Sequence, residues 1–126
     1  MKVVDAGVVV ELLCGNLDPE RLGYEELAVP HLLDSEVLNV LRRLVRRGAL
    51  SQQQGRIALD GFGALALTRY PADRLRDRLW ELRENLTAYD ATYVALAEMA
   101  GATELLTTDR RLAHAPGVSC PMRVLA

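Results

Sequence analysis

Apolar residues along the chain follow two rhythms, and the switches between them mark out its elements. Short apolar runs bounded by proline, charge or glycine read as buried strands: "KVVD" (2–5), "LAVP" (27–30), "ALALTRYP" (64–71), "ELLTT" (104–108) and "PMRVL" (121–125). Between them the spacing is helical. Leu33, Val37, Leu41 and Leu44 form one stripe within Leu32 to Arg47, widened by Val40 and Val45 and stopped at Gly48. Ser51 opens a helix through about Gly61, residues 72–84 turn Leu75, Leu79 and Leu82 inward, and residues 88–100 make a helix ended by Gly101. "AGVVVELLC" reads as helix despite its valines, and Pro19 stands near a further helix start. The resulting order, β-α-(α)-β-α-α-β-α-α-β-α-β, predicts an α/β protein, a three-layer α/β/α sandwich with a mainly parallel central sheet. The length of 126 residues suits a single domain, 1–126. Ligands of such sheets sit outside the carboxyl ends of the strands.

Composition narrows the function classes. Half of the residues are hydrophobic, enough for a core without covalent staples. The formal net charge of -2 argues against a polyanion binder held by bulk charge, although not against a local basic patch. Lys2 is the only lysine among 15 basic residues, and the arginines that make up the rest offer planar forks suited to phosphate. Cys14 and Cys120 show no metal-ligand spacing and read as free thiols of a cytoplasmic protein. The N-terminal "MKVVDAGVVVELL" is interrupted by Asp5 and Glu11 and is too short and too charged for a signal or a membrane span.

Four acids fall at element boundaries. Asp5 closes the first strand and Asp109 closes "ELLTT"; Glu36 lies in the second turn of its helix and Asp90 in the first turn of the helix 88–100. In a parallel sheet, Asp5, Glu36 and Asp109 belong to one edge, while Asp90 follows another helix and is placed less directly. Each has an ordinary structural explanation. Asp5 and Asp109 suit helix N-caps, Thr87 and Asp90 have capping-box spacing, and Glu36 suits a solvated helix flank. Singly those explanations are the commoner ones; jointly they require four acids at one edge by accident. A true cluster is costly, since two carboxylates ~4 Å apart repel by ~4 kcal/mol at an effective dielectric near ~20. It must take up protons or a cation, and an all-oxygen set suits Mg²⁺ or Mn²⁺ rather than Zn²⁺.

The segments "VVDAGVVVELL", "PHLLDSEVLNVLRR" and "LTAYDATYVALAEMAGATELLTTDRRL" together resemble a PIN domain, specifically the VapC-type toxin ribonucleases. The resemblance spans nearly the whole chain and is most specific over 86–112. It implies Mg²⁺- or Mn²⁺-dependent endonucleolytic cleavage of RNA, with Asp5, Glu36, Asp90 and Asp109 as the acidic, metal-holding set. It also implies a homodimer and inhibition by a cognate VapB-like antitoxin. Thr108 matches a position where the family often carries a polar helper. The position two after the first acid, commonly Ser, Thr or Asn in the family, is Gly7 here.

Around this set, Arg110 and Arg111 are candidates for RNA phosphate, as are Arg42 and Arg43 in the denser cluster with Arg46 and Arg47; surface charge is the plainer account of that cluster. Asn39, one turn after Glu36, is placed to hydrogen-bond an acid or a water. His31 and His114 read as surface or turn residues, and Tyr89 and Tyr93 as packing residues. A phosphoacceptor receiver domain is excluded by the single acid after the first strand and by the absence of lysine beyond Lys2. The alternative of another class is a catalytically idle PIN-like module whose acidic pocket binds a basic peptide.

Overall fold

The computed structural model describes residues 1–125. Its elements are β1 (Lys2–Val4), α1 (Ala6–Leu13), a 3₁₀ turn (Pro19–Leu22), β2 (Leu27–Pro30), α2 (Leu32–Arg46), α3 (Gln52–Ala64), β3 (Leu67–Tyr70), a 3₁₀ turn (Asp73–Leu75), α4 (Arg76–Glu81), α5 (Ala88–Ala100), β4 (Leu105–Thr107), α6 (Arg110–Ala113) and β5 (Met122–Val124). The five strands form one sheet in the order β3-β2-β1-β4-β5. Every neighbouring pair is parallel, with Val3 opposite Leu105 and Val4 opposite Leu106 across the centre. The sheet is thus wholly parallel rather than mainly so.

Helices cover both faces. α1, α2 and α3 pack against one another in one layer, and α4 and α5 in the other. The central strands are buried on both sides, so Val3, Val4, Ala28, Val29, Leu105 and Leu106 are all at or below 1% exposure. α5 lies so deep that every residue from Ala91 to Ala97 is buried, its alanines allowing close approach. Gly101 closes it in the left-handed conformation, φ 62, which an alanine would adopt only with strain.

The elements keep within a residue or so of the predicted bounds except in two stretches, and the helix expected near Pro19 is the first 3₁₀ turn. α3 runs on to Ala64, so β3 starts only at Leu67; "ALAL" satisfies either period, and the helix claims its first residue. Ser51 and Gln54 start that helix with a reciprocal capping box. Segment 72–84 is split into the second 3₁₀ turn and the short α4, although Leu75 and Leu82 are buried as their spacing requires. Among the described residues no helix is long and apolar enough to cross a membrane.

The strand order fixes where a ligand can sit. The chain winds from β1 outward through β2 to β3, then returns to the other side of β1 for β4 and β5. The reversal lies between β1 and β4, and the crevice beyond their carboxyl ends is where open parallel sheets bind ligands. Asp5 follows β1 directly, and Asp109 lies two residues beyond β4.

Candidate active site

At the reversal, Asp5 is tied to both adjoining elements. Its amide donates to Leu106 O at 3.1 Å across the sheet. Its Oδ1 accepts from Val8 N at 3.0 Å, capping α1, and its Oδ2 accepts a short hydrogen bond from the Thr107 hydroxyl. Thr107 is fully buried, and its oxygen also accepts from Asp109 N at 2.9 Å. One hydroxyl therefore links the first acid to the backbone of the last. Asp109 caps α6, its Oδ1 accepting from Arg111 N at 2.8 Å and Leu112 N at 3.4 Å. The cap explanation is correct for both aspartates, and it does not use them up. Each carboxylate has about four lone-pair sites, and the caps take one oxygen.

Asp90 stands in the first turn of α5, with its amide donating to Thr87 Oγ1 at 3.2 Å. Because α5 runs back to the start of β4, its own start lies at the carboxyl edge, the point that spacing alone left open. Glu36, half-buried on α2, accepts at Oε1 from the Tyr93 hydroxyl at 2.5 Å. Tyr93 packs in the core at 2% exposure, and one turn after Asp90 it also aims its hydroxyl at the acids.

Electrostatics bind the set together. Burial pushes the Asp5 carboxyl above the ordinary aspartate value, with the Asp90 charge adding, against hydrogen bonds from Thr107, Val8 and the Thr108 amide. Burial likewise raises Glu36, helped by the charges of Asp90 and Asp5, and the Tyr93 bond opposes it. Asp90 is raised by burial and then by the charge of Asp109. Burial and the bond to Glu36 hold the Tyr93 phenol far above its ordinary value, so it only donates. Among the described residues no basic side chain offsets any of the three raised carboxyls.

The opposite edge of the sheet is built the other way. Glu104, before β4, is held low by Arg123 and then Lys2, at 2.9 and 3.1 Å. Glu25, before β2, is held low by the N-terminal ammonium, 2.6 Å away. Acids at the amino edge have cations, and those at the carboxyl edge have one another.

Residues 2–118 match the family model of the PIN domain. A VapC9 ribonuclease of Mycobacterium tuberculosis is 45% identical over 126 residues, spanning 99% of this chain and 98% of the relative. The chain belongs to the PIN-domain family and, within it, to the VapC ribonucleases. The solved structure of PAE2754 from Pyrobaculum aerophilum superposes with a TM-score of 0.71 at 27% identity, covering 96% of this chain and 81% of that one. A toxin–antitoxin complex from Klebsiella pneumoniae shares the fold, with a TM-score of 0.63 at 20% identity, covering 99% of this chain and 100% of its counterpart.

The remaining candidates of this VapC chain separate by their contacts. The hydroxyl bonded to Asp5 is that of Thr107, a residue the sequence did not single out, and Thr108 follows it directly. Asn39 is exposed on α2. Arg69, Arg78 and Arg123 are each locked into an ion pair. Arg42 and Arg43 on α2, with Arg46 and Arg47, line one open arginine groove. They and Arg110 and Arg111 are exposed. Among the described residues none of these six makes an ion pair.

The acids fit a divalent ion by their chemistry. The donors are all oxygen, and among the described residues no protein cation competes, so a bound cation or protonation would relieve their charge. Among the described residues no three acidic, histidine or cysteine side chains close into a ready cage. Mg²⁺ keeps several waters and takes one or two protein carboxylates, so it does not require such a group.

Proposed function

We propose that this chain is a metal-dependent endoribonuclease toxin that hydrolyses RNA phosphodiester bonds and is neutralised by a cognate antitoxin. The observation that carries the proposal is the convergence of Asp5, Glu36 and Asp90, uncompensated and raised together, at the sheet reversal, with Asp109 acting on Asp90. Membership among the VapC ribonucleases supplies the substrate class.

In this proposal Asp5, Glu36, Asp90 and Asp109 hold Mg²⁺ or Mn²⁺, directly or through water. A divalent ion bound there supplies an acidified water and a counter-charge for the phosphate. The chain's own residues do the rest. Thr107 and the Val8 amide fix both oxygens of Asp5, so the carboxylate meets its ligand without reorganising. Tyr93 holds Glu36 in the same way. Exposed Arg110 and Arg111, beside Asp109, engage the RNA backbone close to the scissile bond, and Arg42 and Arg43 engage it further along α2. Water adds to phosphorus and the 3′ oxygen leaves, giving a 3′-hydroxyl and a 5′-phosphate.

The antitoxin follows from the same charge. An arginine of the partner placed among the acids would satisfy them as a cation does, blocking the site. Exposed Trp80 and Tyr89, at 68% and 61%, give α4 and α5 apolar area for the homodimer. The deciding experiment incubates purified protein with total RNA, with Mg²⁺ or with chelator, and maps the ends produced. Cleavage that needs the ion and vanishes in Asp90→Asn is expected; equal cleavage in chelator would reject the metal-dependent nuclease. No cleavage under any condition would leave the idle, peptide-binding module.

A further inference from the structure

Gly7 is a glycine for want of room. It lies in the first turn of α1, two residues after Asp5, and it is not among the glycines with positive φ, so its backbone does not need to be glycine. The space beside it does, so long as the Thr108 hydroxyl keeps its present rotamer. A β-carbon on residue 7 would overlap the Thr108 hydroxyl oxygen outright, while standing 3.4 Å from Thr108 Cβ and 3.5 Å from Asp5 Oδ1. The Thr108 hydroxyl thus sits where a side chain on residue 7 would begin, beside the first acid. Among the described residues it has no hydrogen-bond partner. It borders a cavity of about 240 Å³ lined also by Gly7, Val10, Glu11, Val40 and Leu125. A hydroxyl can donate and accept at once, and among the described residues no protein group takes up either capacity of this one, which stands beside the first acid.

We propose that Thr108 contributes a substrate-side hydroxyl to the acidic site, donating to a phosphate oxygen of the RNA, and that Gly7 is the positioning residue that gives it room. The two positions form one unit, able to hold a single hydroxyl-bearing side chain between them. The proposal rests on the ribonuclease reading, and it assigns Thr108 a role distinct from that of Thr107, whose hydroxyl is spent on Asp5.

The test is a set of four variants read by RNA cleavage and by thermal melting. Thr108→Val keeps the volume and removes the hydroxyl; its melting stays near wild type while kcat/KM falls about five- to tenfold, the size of one lost hydrogen bond. Thr108→Ser recovers most of that loss. Gly7→Ser introduces the overlap and lowers melting. Gly7→Ser combined with Thr108→Ala moves the hydroxyl to the other element, and both melting and cleavage return toward wild type. Wild-type cleavage by Thr108→Val, or a double variant no better than Gly7→Ser alone, overturns the proposal. If the wild type itself leaves RNA intact, the ribonuclease reading fails and the hydroxyl's role with it, and the melts alone still judge the pairing of positions 7 and 108.

Discussion

Asp90 shows most plainly what an uncompensated acid does to a fold. Its carboxyl is raised by burial and by Asp109, so the folded protein holds that proton more tightly than the unfolded chain does. Stability from such a group is fully present below the unfolded value and is lost as pH rises through the raised one. At neutral pH the charged form is a burden. Asp90→Asn is therefore expected to stabilise the metal-free protein at neutral pH by roughly 1 kcal/mol, discounted for partial exposure. The advantage should close as pH falls below about 4, where the wild type is protonated too. Denaturant unfolding in chelator across that range reads it, and a gap independent of pH would show that Asp90 is an ordinary first-turn acid. Tyr93 tests the neighbouring contact. Tyr93→Phe keeps the ring in the core and removes the hydroxyl bonded to Glu36. A stability loss of about 1 kcal/mol and a several-fold loss of kcat with little change in KM are expected. Unchanged kcat would make the bond a packing detail.

At the scale of elements, the helical stripe of α2, the Ser51 cap and the Gly101 stop were legible because each is a local rule written in adjacent residues. The three acids that follow strands or open α2 were legible through topology, since a parallel sheet gathers them at one edge. Other features depend on contacts distant in sequence. Leu105, Leu106 and Thr107 are all fully buried, so β4 has no alternation to tell which threonine faces Asp5. The short bond from Thr107 spans a sequence separation of 102 residues. Tyr93 carried a usable signal, three residues after Asp90 on the same helix face, but an apolar helix makes packing the simpler account of any tyrosine. α6 separates cap from acid. Asn caps about as well as Asp, so Asp109→Asn should keep the stability of α6, whereas Asp109→Ala should lose about 1 kcal/mol. RNA cleavage should fall in both. Full cleavage by Asp109→Asn, with a loss only in the alanine variant, would reduce Asp109 to a cap.

Across the whole molecule, the two ends of the sheet put the same residue type to opposite uses. At the amino edge Glu104 neutralises Lys2, which is buried to 9% exposure, and Arg123, so its charge is structural. At the carboxyl edge Asp5, Glu36 and Asp90 are raised by burial with no cation beside them among the described residues, and in the proposed function a metal or a partner's arginine would relieve that charge. The near-neutral total of -2 hides this polarity. It makes a pair of variants informative. Glu104→Gln should destabilise the protein by about 2 kcal/mol, because it strips charged partners from Lys2 and Arg123, and should leave the response to Mg²⁺ intact. Asp5→Asn should melt close to wild type in chelator, because Asn keeps the α1 cap and sheds a buried charge, which offsets the bond from Thr107 that its amide nitrogen cannot accept. In millimolar Mg²⁺ the wild type should gain RT ln(1 + [L]/Kd), and Asp5→Asn should gain less. Thermal melts of the three proteins, in chelator and in Mg²⁺, distinguish the edges. If Glu104→Gln loses the Mg²⁺ response and Asp5→Asn retains it, the cation belongs at the amino edge and the acids beyond β1 and β4 are caps alone.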